Sequence, residues 1–184
     1  PVAAFSASIS TVCAGQSVQF TDESLNIPTS YQWSFPGGTP NTSSSPSPSI
    51  VYNTPGTYAV SLTVSNNYGT DAITQNGYIT VNASPNLQLN QTAVAICNGS
   101  STVLTASGNG QSYAWSPATG LSATNGASVT ASPTTNTTYT LTSTLNGCTS
   151  TASVNVTVNP NPAVPSVLSQ NNLGFVITQP SQVE

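Results

Sequence analysis

The chain of 184 residues contains no lysine, no arginine and no histidine, and its formal net charge is −4. Its four charged side chains are Asp22, Glu23, Asp71 and Glu184. Nucleophilic catalysis with a histidine or lysine base, phosphoryl transfer, and binding to nucleic acid or anionic lipid all need basic side chains, so the composition excludes them. No apolar run approaches the 18 residues of a membrane helix. We expect a non-enzymatic protein with no nucleic-acid partner and no membrane insertion.

Alternating apolar residues in the first half of the chain predict β-strands with one buried face. Three runs follow this period of two, at residues 18–20, 31–35 and 58–64, and the last is the longest apolar face in the chain. Turns that contain glycine, proline or asparagine separate the runs. No window has a helical period, so we predict short strands of an all-β domain.

The second half of the chain repeats the first. The aligned pairs are Cys13 with Cys97, Trp33 with Trp115, Tyr58 with Tyr139 and Val81 with Val158. We therefore predict two tandem β-sandwiches of about seven strands each, at residues 1–83 and 84–160, joined by short Pro/Asn-rich linkers. Residues 161–184 are predicted to be a linker with the start of a third module, or a C-terminal tail.

The first module resembles the PKD (polycystic kidney disease) domain over residues 1–82. The resemblance depends on Tyr31-Gln-Trp-Ser-Phe-Pro-Gly-Gly38, followed by Pro55-Gly-Thr-Tyr58-Ala-Val. The family usually has Trp-Asp-Phe-Gly-Asp-Gly in the first motif, and Ser34 and Gly37 stand here at the two aspartate positions. The Phe-Pro-Gly-Gly-Thr-Pro form is similar to PKD repeats in secreted proteins of Bacteroidota.

The second module resembles an Ig-like repeat from the same kind of protein. Its markers are Cys97-Asn-Gly, Trp115-Ser-Pro, the Thr-Tyr139 strand and Asn146-Gly-Cys148. The resemblance implies an extracellular, bacterial cell-surface location and a structural or adhesive segment of a long protein, with neighbouring repeats as partners. It leaves open a spacer beside a secreted enzyme, a self-assembling filament subunit and a glycan-binding module.

Four aromatic residues are predicted to be structural. Trp33 and Trp115 occupy the place of the core indole in an Ig-like sandwich, and their strand pattern favours the core over a sugar-stacking platform. Tyr58 and Tyr139 are expected to act as tyrosine corners, with the hydroxyl bonded to nearby backbone.

Three cysteines in an exported chain suggest one disulfide and one remaining thiol. Cys97 precedes a strand and Cys148 follows a turn of the same module, so we predict a Cys97–Cys148 bridge. The position in the first module that matches Cys148 falls near Asn67 or Tyr68, which cannot pair. Cys13 is therefore expected to be a free thiol or an interchain crosslink.

The interior carboxylates offer one weak candidate for a metal site. Some PKD-like domains bind calcium, and Ca²⁺ prefers carboxylate and backbone oxygens. Asp22, Glu23 and Asp71 are the candidates, and the alternative is that Asp22 caps a turn while the other two are solvated. We expect no other cofactor.

Two kinds of surface residue are candidates for contact with a partner. If Tyr139 and Leu141 point inward, an outward row of hydroxyls follows, at Thr138, Thr140, Thr142 and Thr144. This neutral face suits glycan contact, ice contact or lateral self-association, and the alternative is a row of ordinary solvent-facing threonines. Sheet edges without lysine leave pairing between chains open. Tyr68 and Tyr78 are the aromatic residues predicted to face a glycan, because Tyr68 falls at a loop tip.

Overall fold

The computed structural model describes residues 1–163, within which the chain forms 16 strands in two tandem β-sandwiches. The predicted all-β fold is confirmed. The third segment predicted at residues 161–184, together with Glu184, lies outside the described residues from residue 164 onward. None of the segments described is a helix with the length and apolarity that a membrane crossing requires.

The first sandwich contains nine strands. They are β1 (Phe5–Ala7), β2 (Thr11–Cys13), β3 (Ser17–Asp22), β4 (Ser30–Ser34), β5 (Gly38–Thr39), β6 (Thr42–Ser43), β7 (Ser49–Tyr52), β8 (Gly56–Asn66) and β9 (Gly69–Asn82). One sheet has the order β1-β3-β7-β5, and the other has the order β2-β9-β8-β4-β6.

The second sandwich contains seven strands. They are β10 (Leu87–Leu89), β11 (Ala93–Cys97), β12 (Thr102–Gly108), β13 (Ser112–Ser116), β14 (Ser128–Ala131), β15 (Thr137–Leu145) and β16 (Cys148–Asn159). Its sheets have the orders β10-β12-β14 and β11-β16-β15-β13.

Each sandwich has one parallel strand pair, and this pair decides where the cysteines lie. Strand β2 runs parallel to β9 and ends at Cys13 opposite Asn82. Strand β11 runs parallel to β16 and ends at Cys97 opposite Asn159. Because the two strands of each pair run in the same direction, each cysteine lies beside the last residue of the final strand of its sandwich. It therefore lies far from the first residue of that strand.

The two cores differ in their packing. In the first, Trp33 is fully buried, and its ring lies 5.3 Å from Phe5, 5.9 Å from Phe20 and 5.5 Å from Phe35, measured between centroids. Every close ring pair in residues 1–163 belongs to this first sandwich. The second core is aliphatic apart from the buried Trp115 and Tyr139 and the partly buried Tyr113. Alternate burial along β3, β8 and β15 follows the period of two seen in the sequence.

Candidate functional site

A disulfide joins the two sandwiches. Cys13 at the end of β2 bonds to Cys148 at the start of β16, with 5.6 Å between the Cα atoms and a sequence separation of 135. Within residues 1–163, Cys97 is the one cysteine outside a disulfide, and it is exposed.

The predicted Cys97–Cys148 bridge is therefore wrong, and so is the assignment of Cys13 as the free or interchain thiol. Cys148 begins β16, whereas Cys97 lies opposite Asn159 at the end of the same strand. Eleven residues of extended chain place the two cysteines about 35 Å apart. A disulfide needs Cα atoms within about 7 Å, so these two cannot pair.

Hydrogen bonds across the linker support the disulfide. The amide Nδ2 of Asn82 donates to the carbonyl oxygen of Asn146 at 3.0 Å. The hydroxyl of Ser150 donates to the carbonyl oxygen of Pro85 at 2.7 Å, and Pro85 is buried. We call the residues of this contact the junction: Cys13, Asn82, Pro85, Asn146, Cys148 and Ser150.

A shallow cleft lies beside the disulfide. Its volume is about 320 Å³, and residues of both sandwiches line it, among them Ile9, Gln16 and Gly147. None of the described residues that line it is charged, so the cleft offers neutral polar and apolar groups.

The predicted core aromatics lie where the sequence placed them. The indole Nε1 of Trp33 donates to the carbonyl oxygen of Ser45 at 2.8 Å, and that of Trp115 donates to Gly126 at 3.0 Å. Because both rings are buried and their only polar atom is bonded to backbone, neither can serve as a sugar-stacking platform.

The two tyrosine corners form, with different spans. The hydroxyl of Tyr58 donates to the carbonyl oxygen of Thr54, four residues earlier, at 2.7 Å. The hydroxyl of Tyr139 donates to Thr119, twenty residues earlier, also at 2.7 Å. Burial raises the pKa of Tyr139, and a hydrogen bond with Thr137 partly opposes that rise.

The three candidate calcium ligands do not form a metal site. Asp71 accepts a hydrogen bond from the backbone N–H of Ala3 at its Oδ2, at 2.7 Å. Asp22 accepts one from the N–H of Ser24 at its Oδ1, at 3.1 Å. Partial burial and the nearby Asp22 carboxylate raise the pKa of Tyr31. Within the described residues no three carboxylate, thiol or imidazole groups gather as potential ligands, so Asp22, Glu23 and Asp71 do not come together as one set of calcium ligands.

The hydroxyl row on β15 has the expected arrangement. Its four threonines alternate with the buried Tyr139, Leu141 and Ser143 and are wholly or partly exposed. Two of them bond across to β16, where the Oγ1 of Thr138 donates to Asn155 at 2.7 Å and the Oγ1 of Thr140 lies 3.1 Å from the hydroxyl of Ser153. A partner on this face stays a prediction.

The two tyrosines proposed for glycan contact lie apart. Tyr68 is 96% exposed at the β8–β9 turn. Tyr78 is half-buried next to Ile79, which pairs with Tyr58 near the start of β8, and its ring packs edge-on against Phe5 at 5.2 Å. The structure therefore makes Tyr78 part of the first core and leaves only Tyr68 as an aromatic surface residue of the pair.

An open pocket of about 590 Å³ lies beside Tyr68, and sequence reasoning missed it. Asn26, Ile27 and Asn67 line it, and Ile27 is 84% exposed. Asn26 and Ile27 both have left-handed backbone, with φ of 62° and 51°. A β-branched residue rarely adopts this conformation, so the turn at Ile27 is strained. The Nδ2 of Asn66 holds the turn by donating to the carbonyl oxygen of Asn26 at 2.8 Å.

Two family models match the chain. Residues 3–76 match the PKD domain, and residues 82–162 match the family described as Ig-like domain CHU_C associated. Comparison with curated proteins finds no match.

Solved structures of several β-domains are similar to the chain. The PKD1 domain of the Vibrio cholerae metalloprotease PrtV is 31% identical, with 44% of this chain and 96% of that chain covered at a TM-score of 0.35. The three N-terminal domains of the bacteriophage RB49 highly immunogenic outer capsid protein are 12% identical, with 85% and 59% covered at a TM-score of 0.36. The fibronectin(III)-like modules of Clostridium thermocellum CbhA are 11% identical, with 85% and 95% covered at a TM-score of 0.37.

Proposed function

We propose that this chain, a PKD domain followed by a CHU_C-associated Ig-like domain, transmits force as a non-catalytic segment of a long cell-surface or secreted adhesive protein. PKD and Ig-like domains are typical extracellular structural and adhesion modules, and their families are generally non-catalytic. They usually occur in extracellular proteins, which suits the disulfide. The proposed partners are neighbouring repeats of the same protein.

The observation that carries this proposal is the covalent path through the molecule. A force applied to the two ends passes along residues 1–13, crosses the Cys13–Cys148 bond and continues along β16. The 135-residue loop between the cysteines contains β3 to β15, which is most of both sandwiches. Because the disulfide closes this loop, tension on the ends cannot extend it.

Single-molecule force spectroscopy tests the path directly. At about 3.4 Å per residue, the closed loop holds roughly 45 nm of contour length. We expect the oxidised chain to extend by about 45 nm less than the reduced chain when both are pulled from their ends. The Cys97→Ser variant is the control, because it keeps the Cys13–Cys148 bond and should match the oxidised chain.

Equal contour lengths with and without reductant would reject the proposal. The Cys13→Ser variant gives the same test without reductant, since it should extend as far as the reduced chain.

The pocket beside Tyr68 favours a second candidate, glycan binding at the exposed end of the PKD domain. An almost fully exposed tyrosine beside asparagine side chains gives both a stacking surface and neutral hydrogen-bonding groups. On a glycan array, Tyr68→Ala should abolish any binding that the parent chain shows. Val103→Ala, which removes an exposed apolar residue of the Ig-like domain, should leave that binding unchanged.

A further inference from the structure

Cys97 occupies in the Ig-like domain the position that Cys13 occupies in the PKD domain. Each is the last residue of a strand that runs parallel to the final strand of its domain. Cys13 lies opposite Asn82, and Cys97 lies opposite Asn159.

The backbone after the two cysteines is also the same. The carbonyl oxygens of the opposing asparagines accept from the next residue of each turn, Ala14 N at 2.9 Å and Asn98 N at 2.8 Å. Both turns then close onto the cysteine carbonyl oxygen, from Gln16 N at 3.0 Å and Ser100 N at 2.9 Å. Both have glycine with left-handed backbone at the third position, Gly15 with φ of 87° and Gly99 with φ of 84°.

The linker groups of the junction recur as well. The PKD domain contacts the next domain through Asn82 and, three residues later, Pro85. The Ig-like domain ends in Asn159 and, three residues later, Pro162. Pro85 is buried against the next domain, whereas Asn159 and Pro162 are exposed.

The two equivalent cysteines differ in one respect, and that difference indicates which kind of residue would pair with Cys97. Cys13 is bonded to a cysteine at the hairpin of the following domain, whereas Cys97 is an exposed thiol. We propose that Cys97 forms a second interdomain disulfide, with a cysteine at the Cys148 position of a following Ig-like domain. This inference rests on the proposed function, because it assumes an extracellular chain of neighbouring repeats.

The proposed bonds have a direction. In the Ig-like domain the hairpin closes with Leu145 opposite Cys148, and in the PKD domain it closes with Asn66 opposite Gly69. Glycine stands where the hairpin cysteine would be, so the PKD domain cannot accept a bond from a domain before it. Each proposed bond joins the cysteine at the end of a strand to the hairpin cysteine of the following domain, so Cys97 would bond to a domain that follows the Ig-like domain. The loop closed by that bond would overlap the loop closed by Cys13 and Cys148.

The bond forms by thiol–disulfide exchange with oxidised glutathione or a protein disulfide of the same chemical class. The Cys97 thiolate attacks one sulfur of the oxidant, giving a mixed disulfide and releasing one thiol. The thiolate of the hairpin cysteine then attacks the Cys97 sulfur, forming the interdomain bond and releasing the second thiol. Two protein thiols are oxidised, and one oxidant disulfide is reduced to two thiols.

An extended chain tests the proposal. The test protein has residues 1–162 followed directly by a second copy of residues 86–184. In this design Pro162 precedes the second Ig-like domain as Pro85 precedes the first. After equilibration with oxidised and reduced glutathione, this five-cysteine protein should retain one free thiol. Chymotryptic mapping of the unreduced protein should find Cys97 of the first copy bonded to Cys148 of the second.

Two variants of the first copy make the result specific. Cys97→Ser should leave two free thiols, both in the second copy, and its thermal unfolding reports whether the added domain folds. Ala95→Cys combined with Cys97→Ser moves the thiol two residues back on the same exposed strand face, and that thiol should stay free.

Three free thiols in the parent protein, a Cys97–Cys97 bond, or an equal yield from the displaced cysteine would overturn the proposal. Failure of the added domain to fold in both the parent and the Cys97→Ser protein would also overturn it, because the second junction would then lack the geometry of the first. The force measurement on the single chain depends only on Cys13 and Cys148, so the proposed function can stand when this inference fails.

Discussion

The β8–β9 hairpin of the PKD domain and the β15–β16 hairpin of the Ig-like domain have the same two-residue loop but different surroundings. In the Ig-like domain the hairpin ends in Cys148, which is 1% exposed beneath the preceding domain. In the PKD domain the corresponding hairpin carries Tyr68, which is 96% exposed beside an open pocket. One fold position thus lies in the interdomain junction in the Ig-like domain and beside an open pocket in the PKD domain, with Cys148 in the first and Gly69 at the matching position of the second.

The largest expected effect comes from removing the bond that makes the two hairpins different. Asn82 lies beside the disulfide and contacts both domains, through its pairing with Cys13 in the PKD domain and its hydrogen bond to Asn146 in the Ig-like domain. When one domain unfolds, the other still holds Asn82 there. The unfolded domain is therefore a closed loop of about 70 residues between Asn82 and the disulfide. On the chain-entropy model such a loop contributes about 4 kcal/mol. Cys13→Ser should therefore lower the free energy of unfolding of both domains by about that amount, although Cys13 lies in the PKD domain.

Urea unfolding followed by near-UV circular dichroism measures this effect, with Cys97→Ser as the control that should change neither transition. A loss confined to the PKD domain in Cys13→Ser, or to the Ig-like domain in Cys148→Ser, would contradict the coupling between the two domains.

The next effect concerns a buried tyrosine hydroxyl of the PKD domain. Tyr52 is fully buried, and its hydroxyl has no hydrogen-bond partner within residues 1–163. Burial, and to a smaller extent the neighbouring Tyr58, raises the pKa of Tyr52 to about 12. An unfolded tyrosine loses its proton near pH 10, so the unfolded state gains stability between about pH 10 and 12 while the folded state does not.

The PKD domain should therefore keep this contribution below pH 10 and lose up to about 3 kcal/mol by pH 12. Tyr52→Phe should remove this fall and change stability at pH 7 by less than about 1 kcal/mol, because it deletes an unpartnered hydroxyl. Unfolding curves at pH 7, 10 and 12 in a Cys97→Ser background, which prevents disulfide exchange, measure both. An unchanged alkaline fall in Tyr52→Phe would assign it to another group.

The smallest effect compares the two tyrosine corners. Tyr139 is fully buried, and Tyr139→Phe leaves the Thr119 carbonyl oxygen without its partner, at a cost of about 1–2 kcal/mol. The Tyr58 hydroxyl bonds at an exposed site where water can replace it, so Tyr58→Phe should cost about 0.5 kcal/mol. Thermal unfolding should rank the two variants in this order, and the reverse order would show that the span of a corner matters more than its burial.

Local sequence pattern determined the strands, the cores and the two-domain division of this fold. The alternation at 58–64 predicts a buried face on β8, and the equivalence of Trp33 with Trp115 predicts a core indole in each domain. Such patterns are local, because side-chain direction in a strand depends only on the parity of sequence position. The lack of basic residues limits the function classes in the same way, because it is a property of composition and does not depend on how the chain folds.

Local sequence pattern predicts the candidate site less well than it predicts the fold. Its place at a loop tip correctly predicts that Tyr68 is exposed, whereas the sequence puts Tyr78 on the surface although its ring packs against Phe5. The pocket beside Tyr68 was not predicted, because the left-handed turn at Ile27 brings residues 26–29 and 66–68 together from distant parts of the chain.

Only the tertiary structure decided the disulfide. Aligning the two modules correctly made Cys13 equivalent to Cys97, yet it did not show which end of a sandwich each cysteine occupies. That depends on the parallel pairing of the second strand with the last, which places Cys97 about 35 Å from Cys148 and turns Cys13 toward the next domain. Sequence alone determined which faces of the main strands are buried, because burial along a strand follows a local period of two. The bond between the domains depended on strand order, which no local period records.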